Sequence, residues 1–190
     1  MPFSIPTLKE VRYMFSVDGT TITVSRGDTG AVKINASAIR RDNSDNYIFG
    51  ERDRAVFTIK SNNGTLVRER SYQMRNNQFT VVFYNQDTES FEQGSYQWDV
   101  RYVINPYYDE EMPNESSWTD YDNLDFPVDQ GTRCKHEGTY YTATQEIEVS
   151  ETWNPDHWEC ADYRIPVDGD QVITPTLPLS ISLLNVVGTI

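Results

Sequence analysis

The stretch SYQWDVRYVI, residues 95 to 104, carries the clearest structural signal in the chain. Tyr96, Trp98, Val100 and Tyr102 share one parity, with polar or smaller residues between them. A period of two places all four on one face of a half-buried β-strand. The same reading extends outward to TTITVS (20–25), AVKINASAI (31–39), AVFTIK (55–60) and QFTVVFY (78–84). Turn clusters separate them: RGDTG (26–30), NNG (62–64), RNNQ (75–78) and EQGS (92–95). No segment of a dozen residues holds a helical apolar stripe. Short alternating strands joined by such turns predict an all-β chain built as an antiparallel sandwich.

Bulk composition supports this and narrows the function. The chain has 190 residues, enough for one large domain or two small ones. Twelve tyrosines in a sequence poor in Leu and Ala suit β-structure with wet aromatic surfaces. The net charge of −13 repels phosphate backbones and anionic lipid, so neither nucleic acid nor a membrane surface is an expected partner. No run of 18 apolar residues is present, so no membrane-spanning segment is predicted. The opening MPFSIPTLKEVRYMF has two prolines and no apolar core, which does not read as a signal peptide; synthesis in a cytoplasm is the expectation. No cofactor is implied.

From Asn105 to Asp129 the character changes. Eight acidic residues and no basic ones fall there, and residues 111–130 read as an exposed acidic connector. A compact unit at 131–164 follows, with strands in RCKHEGTYYTATQ and HWECAD. The sandwich is then expected to comprise 1–110 and 165–190. Its closing stretch DQVITPTLPLSI contains Pro175 and Pro178, which predict an edge or bent strand.

Two resemblances emerge from these segments. Gly27 and Asp28 in a turn, then Asp53, Phe57 and Lys60, then Gly94, Tyr96 and Asp99, form a pattern. It resembles the N-terminal, immunoglobulin-like domain of upper baseplate proteins of tailed phages. The tail GDQVITPTLPLSI is similar to that family's closing strand. The resemblance implies an immunoglobulin-like sandwich in a non-enzymatic structural protein of the virion. Baseplate, tail fibre and head fibre or decoration positions are all open, and other virion proteins and copies of the chain are the implied partners. The tripeptide Arg26-Gly27-Asp28 reads as turn chemistry rather than a recognition motif.

The unit at 131–164 resembles a small chitin-binding-type carbohydrate-binding module. The matching positions are Gly138, Tyr141, Ala143, Trp153, Pro155 and Trp158. The resemblance implies a three-stranded β insert and a host cell-wall glycan as a partner. Sugar rings stack on flat aromatic faces, so Tyr140, Tyr141, Trp153 and Trp158 are the candidate contacts, with His157 and Glu159 as polar neighbours. The competing reading makes these aromatics the core of a small module.

Both cysteines and both histidines lie in this unit, in RCKHEG (133–138) and PDHWEC (155–160). Cys134 and His136 share a strand face, and His157 and Cys160 flank Trp158. Four readings are open. A tetrahedral zinc site would use Cys134, His136, His157 and Cys160, although the C-x-H and H-x-x-C spacings are not those of common knuckles. A Cys134–Cys160 disulfide needs adjacent strands with Cα atoms about 5.5 Å apart and would stabilise by about 3 kcal/mol. Two packed free thiols are the third reading. A Cys–His hydrolase dyad lacks any recognisable oxyanion hole or orienting residue. Asp120, Asp122 and Asp125 could hold calcium loosely, but the EF-hand spacing is absent. Carboxylate pairs in the connector read as a solvated face rather than a glycosidase centre.

Overall fold

The computed structural model describes residues 15–36, 38–39, 46–112, 117–173 and 177–182. The opening residues 1–14 and Pro175 lie outside that set, so the readings made on them find no counterpart here. The architecture is an all-β sandwich with a β insert.

The principal sheet runs in the order β1 (Phe15–Asp18), β2 (Thr21–Ser25), β15 (Leu177–Ser182), β9 (Gly94–Tyr107), β6 (Arg54–Ser61) and β7 (Leu66–Gln73). The long strand β9 is its axis. One side of β9 pairs with β6 from Arg54↔Val103 to Ser61↔Tyr96. The other side pairs first with β15 and then with β14 (Asp168–Ile173). Those two strands lie one after the other along the same side of β9. The edge position does not hold: β15 is interior, antiparallel to β9 and parallel to β2. Two antiparallel two-stranded sheets complete the sandwich, the long-range pair β3 (Gly30–Asn35) with β8 (Gln78–Phe83), and β4 (Ala38–Ile39) with β5 (Asn46–Tyr47).

The core lies between the layers. Trp98, Val100 and Tyr102 of β9 meet Phe57 of β6, Phe79 and Phe83 of β8, and Phe49. The Phe57 and Trp98 rings stack with centroids 5.3 Å apart, and the Trp98 indole donates to the Thr20 carbonyl at 3.1 Å. The parity read from SYQWDVRYVI is thus the core parity; Tyr96 packs at its margin. Two turns set the register. Gly27 adopts φ +79°, and Asp28 accepts from the Thr29 amide at 2.8 Å. Asn76 and Asn77 both have positive φ, the requirement of a two-residue primed hairpin turn, and Arg75 pairs with Gln78 across it.

A single helical turn, α1 (Asn85–Glu89), follows β8 and carries a buried aspartate. Asp87 bridges Arg68 at 2.7 Å and Arg70 at 3.1 Å. These arginines sit opposite Ile59 and Phe57, on the core-facing side of edge strand β7. Inward charges of this kind protect a sheet edge from further pairing.

The insert has its own sheet, in the order β10 (Thr119–Asp120), β11 (Arg133–His136), β12 (Thr139–Ala143) and β13 (Trp158–Cys160). β11 to β13 are the three antiparallel strands expected; β10 adds a parallel fourth. β10 comes from the segment read as an acidic connector. Tyr121, Leu124, Phe126 and Val128 of that segment belong to the insert core, together with Cys134, Tyr141, Ala143, Ile147 and Trp158. The acids of this stretch, Asp120, Asp122, Asp125 and Asp129, all remain exposed. The insert thus begins near residue 119 rather than 131.

Candidate functional site

The insert is fastened to β6, to β7 and to the turn that follows β7. Along β6 the residues from Arg54 to Ile59 are all buried; Ala55, Phe57 and Ile59 belong to the sandwich core, and Arg54, of the opposite parity, reaches the insert. The fastening is polar. Gln73 Nε2 donates to the Tyr141 hydroxyl at 2.8 Å. Arg75 Nη2 donates to the carbonyls of Pro155 and Trp158 at 2.8 and 2.9 Å. Arg54, only 1% exposed, donates through Nη1 to the carbonyls of Glu51, Arg52 and Asp53 and through Nη2 to Thr139 Oγ1 at 3.4 Å.

This geometry places most of the candidate sugar-stacking residues inside. Tyr140, Tyr141 and Trp158 are 3%, 2% and 1% exposed. They are core residues, not binding platforms. Tyr141 and Trp158 pack in the insert core; burial raises the Tyr141 phenol above its usual range. Tyr140 faces the other side of β12, against Trp118 at 5.3 Å and beneath the Arg164 guanidinium. Trp153 is half-buried. Its ring is stacked with His136 at 4.1 Å and lies nearly parallel to Trp158 at 5.7 Å, so at least one of its faces is already covered. His157 is also tied down. Asn154 Oδ1 accepts from the Asp156 amide, which turns its Nδ2 toward His157 Nε2 at 3.2 Å. Nε2 is then an acceptor, and Nδ1–H donates to Glu151 at 2.6 Å.

The four cysteine and histidine residues do not converge. Cys134 and Cys160 both stand opposite Tyr141, on either side of β12. Two strand spacings, about 9.5 Å, separate them. That exceeds the reach of a disulfide, and both are free thiols. The disulfide expectation fails because β12 intervenes. The zinc arrangement fails for the same reason and because His136 and His157 are held elsewhere. Among the described residues no three His, Cys, Asp or Glu side chains are gathered to hold a metal ion. Burial pushes the Cys134 thiol up to about 12, the opposite of what a nucleophilic thiolate requires. Burial also raises Cys160, with the nearby Arg54 charge opposing.

The junction leaves two open grooves. The smaller, of about 450 Å³, lies between the loop around Glu51 and Arg52 and the His136–Trp153 stack. The exposed Arg52–Glu137 ion pair, 3.3 Å, spans it. The larger, of about 790 Å³, runs between β7 and β8 on one wall and β13 and the residues after it on the other. Tyr84 and Tyr163 lie at its rim, 47% and 67% exposed. Neither tyrosine stood among the sequence candidates. Tyr84 is the last residue of the QFTVVFY stretch, and Tyr163 sits three residues beyond the HWEC motif, so neither carries a motif signal. Among the described residues no helix is long and apolar enough to cross a membrane.

No family model, curated protein or solved structure matches this chain.

Proposed function

We propose that the chain is a non-enzymatic structural protein of a tailed-phage particle, with the sandwich serving assembly and the insert presenting a rigid outer surface for host-glycan attachment. The observation that carries this reading is the fastening of the insert. A module held by Gln73, Arg75 and the buried Arg54 is fixed in orientation relative to the sandwich, as a projecting part of a symmetric particle must be. The sequence resemblance to upper baseplate domains supports the particle, and other virion proteins and copies of the chain are the partners. The absence of a thiolate-stabilising environment at Cys134 weighs against hydrolase chemistry. The glycan arm draws on the carbohydrate-module resemblance and on the aromatic-rimmed groove at the junction.

The test is quantitative mass spectrometry of gradient-purified particles from cells producing the chain. Recovery in the particle at a fixed multiple of another structural protein is expected. Its absence from particles, with abundant free protein in the lysate, overturns the reading.

A further inference from the structure

We infer that the larger groove, between β7–β8 and the β13 segment, is a binding site for a short neutral saccharide. The inference rests on the attachment reading above but moves the site away from the aromatics of the insert core.

Three observations point to this ligand class. First, Tyr163 offers a ring 67% exposed that makes no aromatic or cation contact among the described residues. Tyr84, 47% exposed, adds a second ring, with the Arg70 guanidinium 5.8 Å from its centroid. Exposed rings at a groove rim match the apolar C–H faces of pyranoses. Second, the groove-lining Ser71 buries its Oγ without a hydrogen-bond partner among the described residues, in a side chain 2% exposed. Buried polar groups are almost always satisfied, so this atom marks a place for a hydroxyl partner. A sugar hydroxyl both donates and accepts, which suits the serine. Third, the charges around the groove are largely matched internally. Arg70 pairs with Asp87, Arg75 with Asp156, Glu69 with Arg101, and Asp162 with Arg164. Glu159 is exposed at the same wall and has no ion-pair partner among the described residues. No surplus of positive charge remains to recruit a phosphorylated or carboxylated chain. The fixed second wall, held by the Arg75 bonds to Pro155 and Trp158, makes the groove pre-formed.

The experiment is a glycan array followed by titration of the best soluble oligosaccharide, read by intrinsic tryptophan fluorescence and by calorimetry. Neutral hexose and N-acetylhexosamine oligomers are the probes, with poly(glycerol phosphate) and sialylated chains as charged comparisons. A neutral oligomer is expected to bind. Tyr163→Ala and Tyr84→Ala should each weaken it about 2-fold to 10-fold. Ser71→Ala should weaken it without a change in thermal midpoint. Arg52→Ala and Glu137→Ala, in the smaller groove, should leave affinity unchanged. Tyr84 and Tyr163 are exposed, so loss of folding does not cloud the result; circular dichroism checks it. Absence of any neutral-glycan signal overturns the inference. So does affinity unchanged in the Tyr84→Ala/Tyr163→Ala double variant, or selection of charged chains or of an extended peptide instead. Recovery in particles without glycan binding would sink this inference alone. Glycan binding mapped to the groove in a protein absent from particles would sink only the structural reading.

Discussion

Replacing Arg54 tests what holds the insert on the sandwich. Its side chain is fully enclosed, yet among the described residues it has no ion-pair partner. Of the ionisable groups around it, Cys160, Tyr108, Asp162 and Tyr141, the one carboxylate is Asp162, and its two oxygens bond Arg164 at 2.8 and 2.9 Å. A buried cation with so little compensation carries a desolvation cost of several kcal/mol. Against this stand four hydrogen bonds, one of them short: Nη1 to the Glu51 carbonyl at 2.8 Å. Losing them leaves few orphans. The Glu51 carbonyl also accepts from Gln73 Nε2, and the Asp53 carbonyl also accepts from the Met74 amide. Arg54→Met keeps most of the volume and removes the charge. The two effects offset, and a change within about 2 kcal/mol of wild type is expected. Arg54→Ala removes the volume as well and opens a cavity between two rigid layers, adding about 2–4 kcal/mol of destabilisation. Urea denaturation of both variants, with the slope compared to confirm a two-state transition, gives the numbers. If Arg54→Met proves as damaging as Arg54→Ala, the guanidinium charge rather than its bulk secures the insert, and the reasoning is wrong.

Two further predictions follow from single contacts. The Cys134 thiol is protonated in the fold up to about 12, whereas its ordinary value is near 9. Below that ordinary value both states hold the proton and it contributes nothing; as pH rises from there toward about 12, the unfolded chain releases a proton the folded chain keeps, so stability falls. Cys134→Val should flatten this alkaline decline in urea midpoints measured from about pH 8 to 11, and an unchanged slope would show that the thiol is not the group responsible. Gly169 has φ +136° in the bulge where β14 meets β9, and a β-carbon there would stand 2.7 Å from Val103 Cγ1 and 2.9 Å from the Ile104 carbonyl. Gly169→Ala should therefore cost about 2 kcal/mol or more in thermal or urea unfolding, and a cost under about 0.5 kcal/mol would mean that the bulge relaxes freely.

Why the sandwich was legible and the site was not comes down to what each residue is packed against. Period two marks a strand with one buried face, and β9 shows it because Trp98, Val100 and Tyr102 all face one core. β7 was missed for the converse reason. Its core-facing positions, Arg68 and Arg70, are charged, and their burial depends on Asp87, some 17 residues on in a helical turn. No local window contains both halves of that arrangement. The connector misled in a similar way. Leu124, Phe126 and Val128 alternate correctly, but the exposed acids around them, Asp120, Asp122, Asp125 and Asp129, dominate the composition.

The aromatic residues of the insert illustrate a deeper limit. Tyr140 and Tyr141 have opposite parity, so a strand with one wet face would expose one of them. Both are buried, because β12 is covered on both faces: Trp153 and Trp158 pack on one side, Trp118 and Arg164 on the other. All four covering residues belong to the insert or its immediate flank, so the segments before β11 and after β12 fold over both faces of the sheet and make interior the residues that a motif marks as binding platforms. Docking against the sandwich creates new concave surface at the seam, lined by Tyr84 from one unit and Tyr163 from the other. Where two small β units are fused side by side, the aromatic residues available to a ligand are those at the seam's rim, and their identity depends on the docking rather than on the motif of either unit.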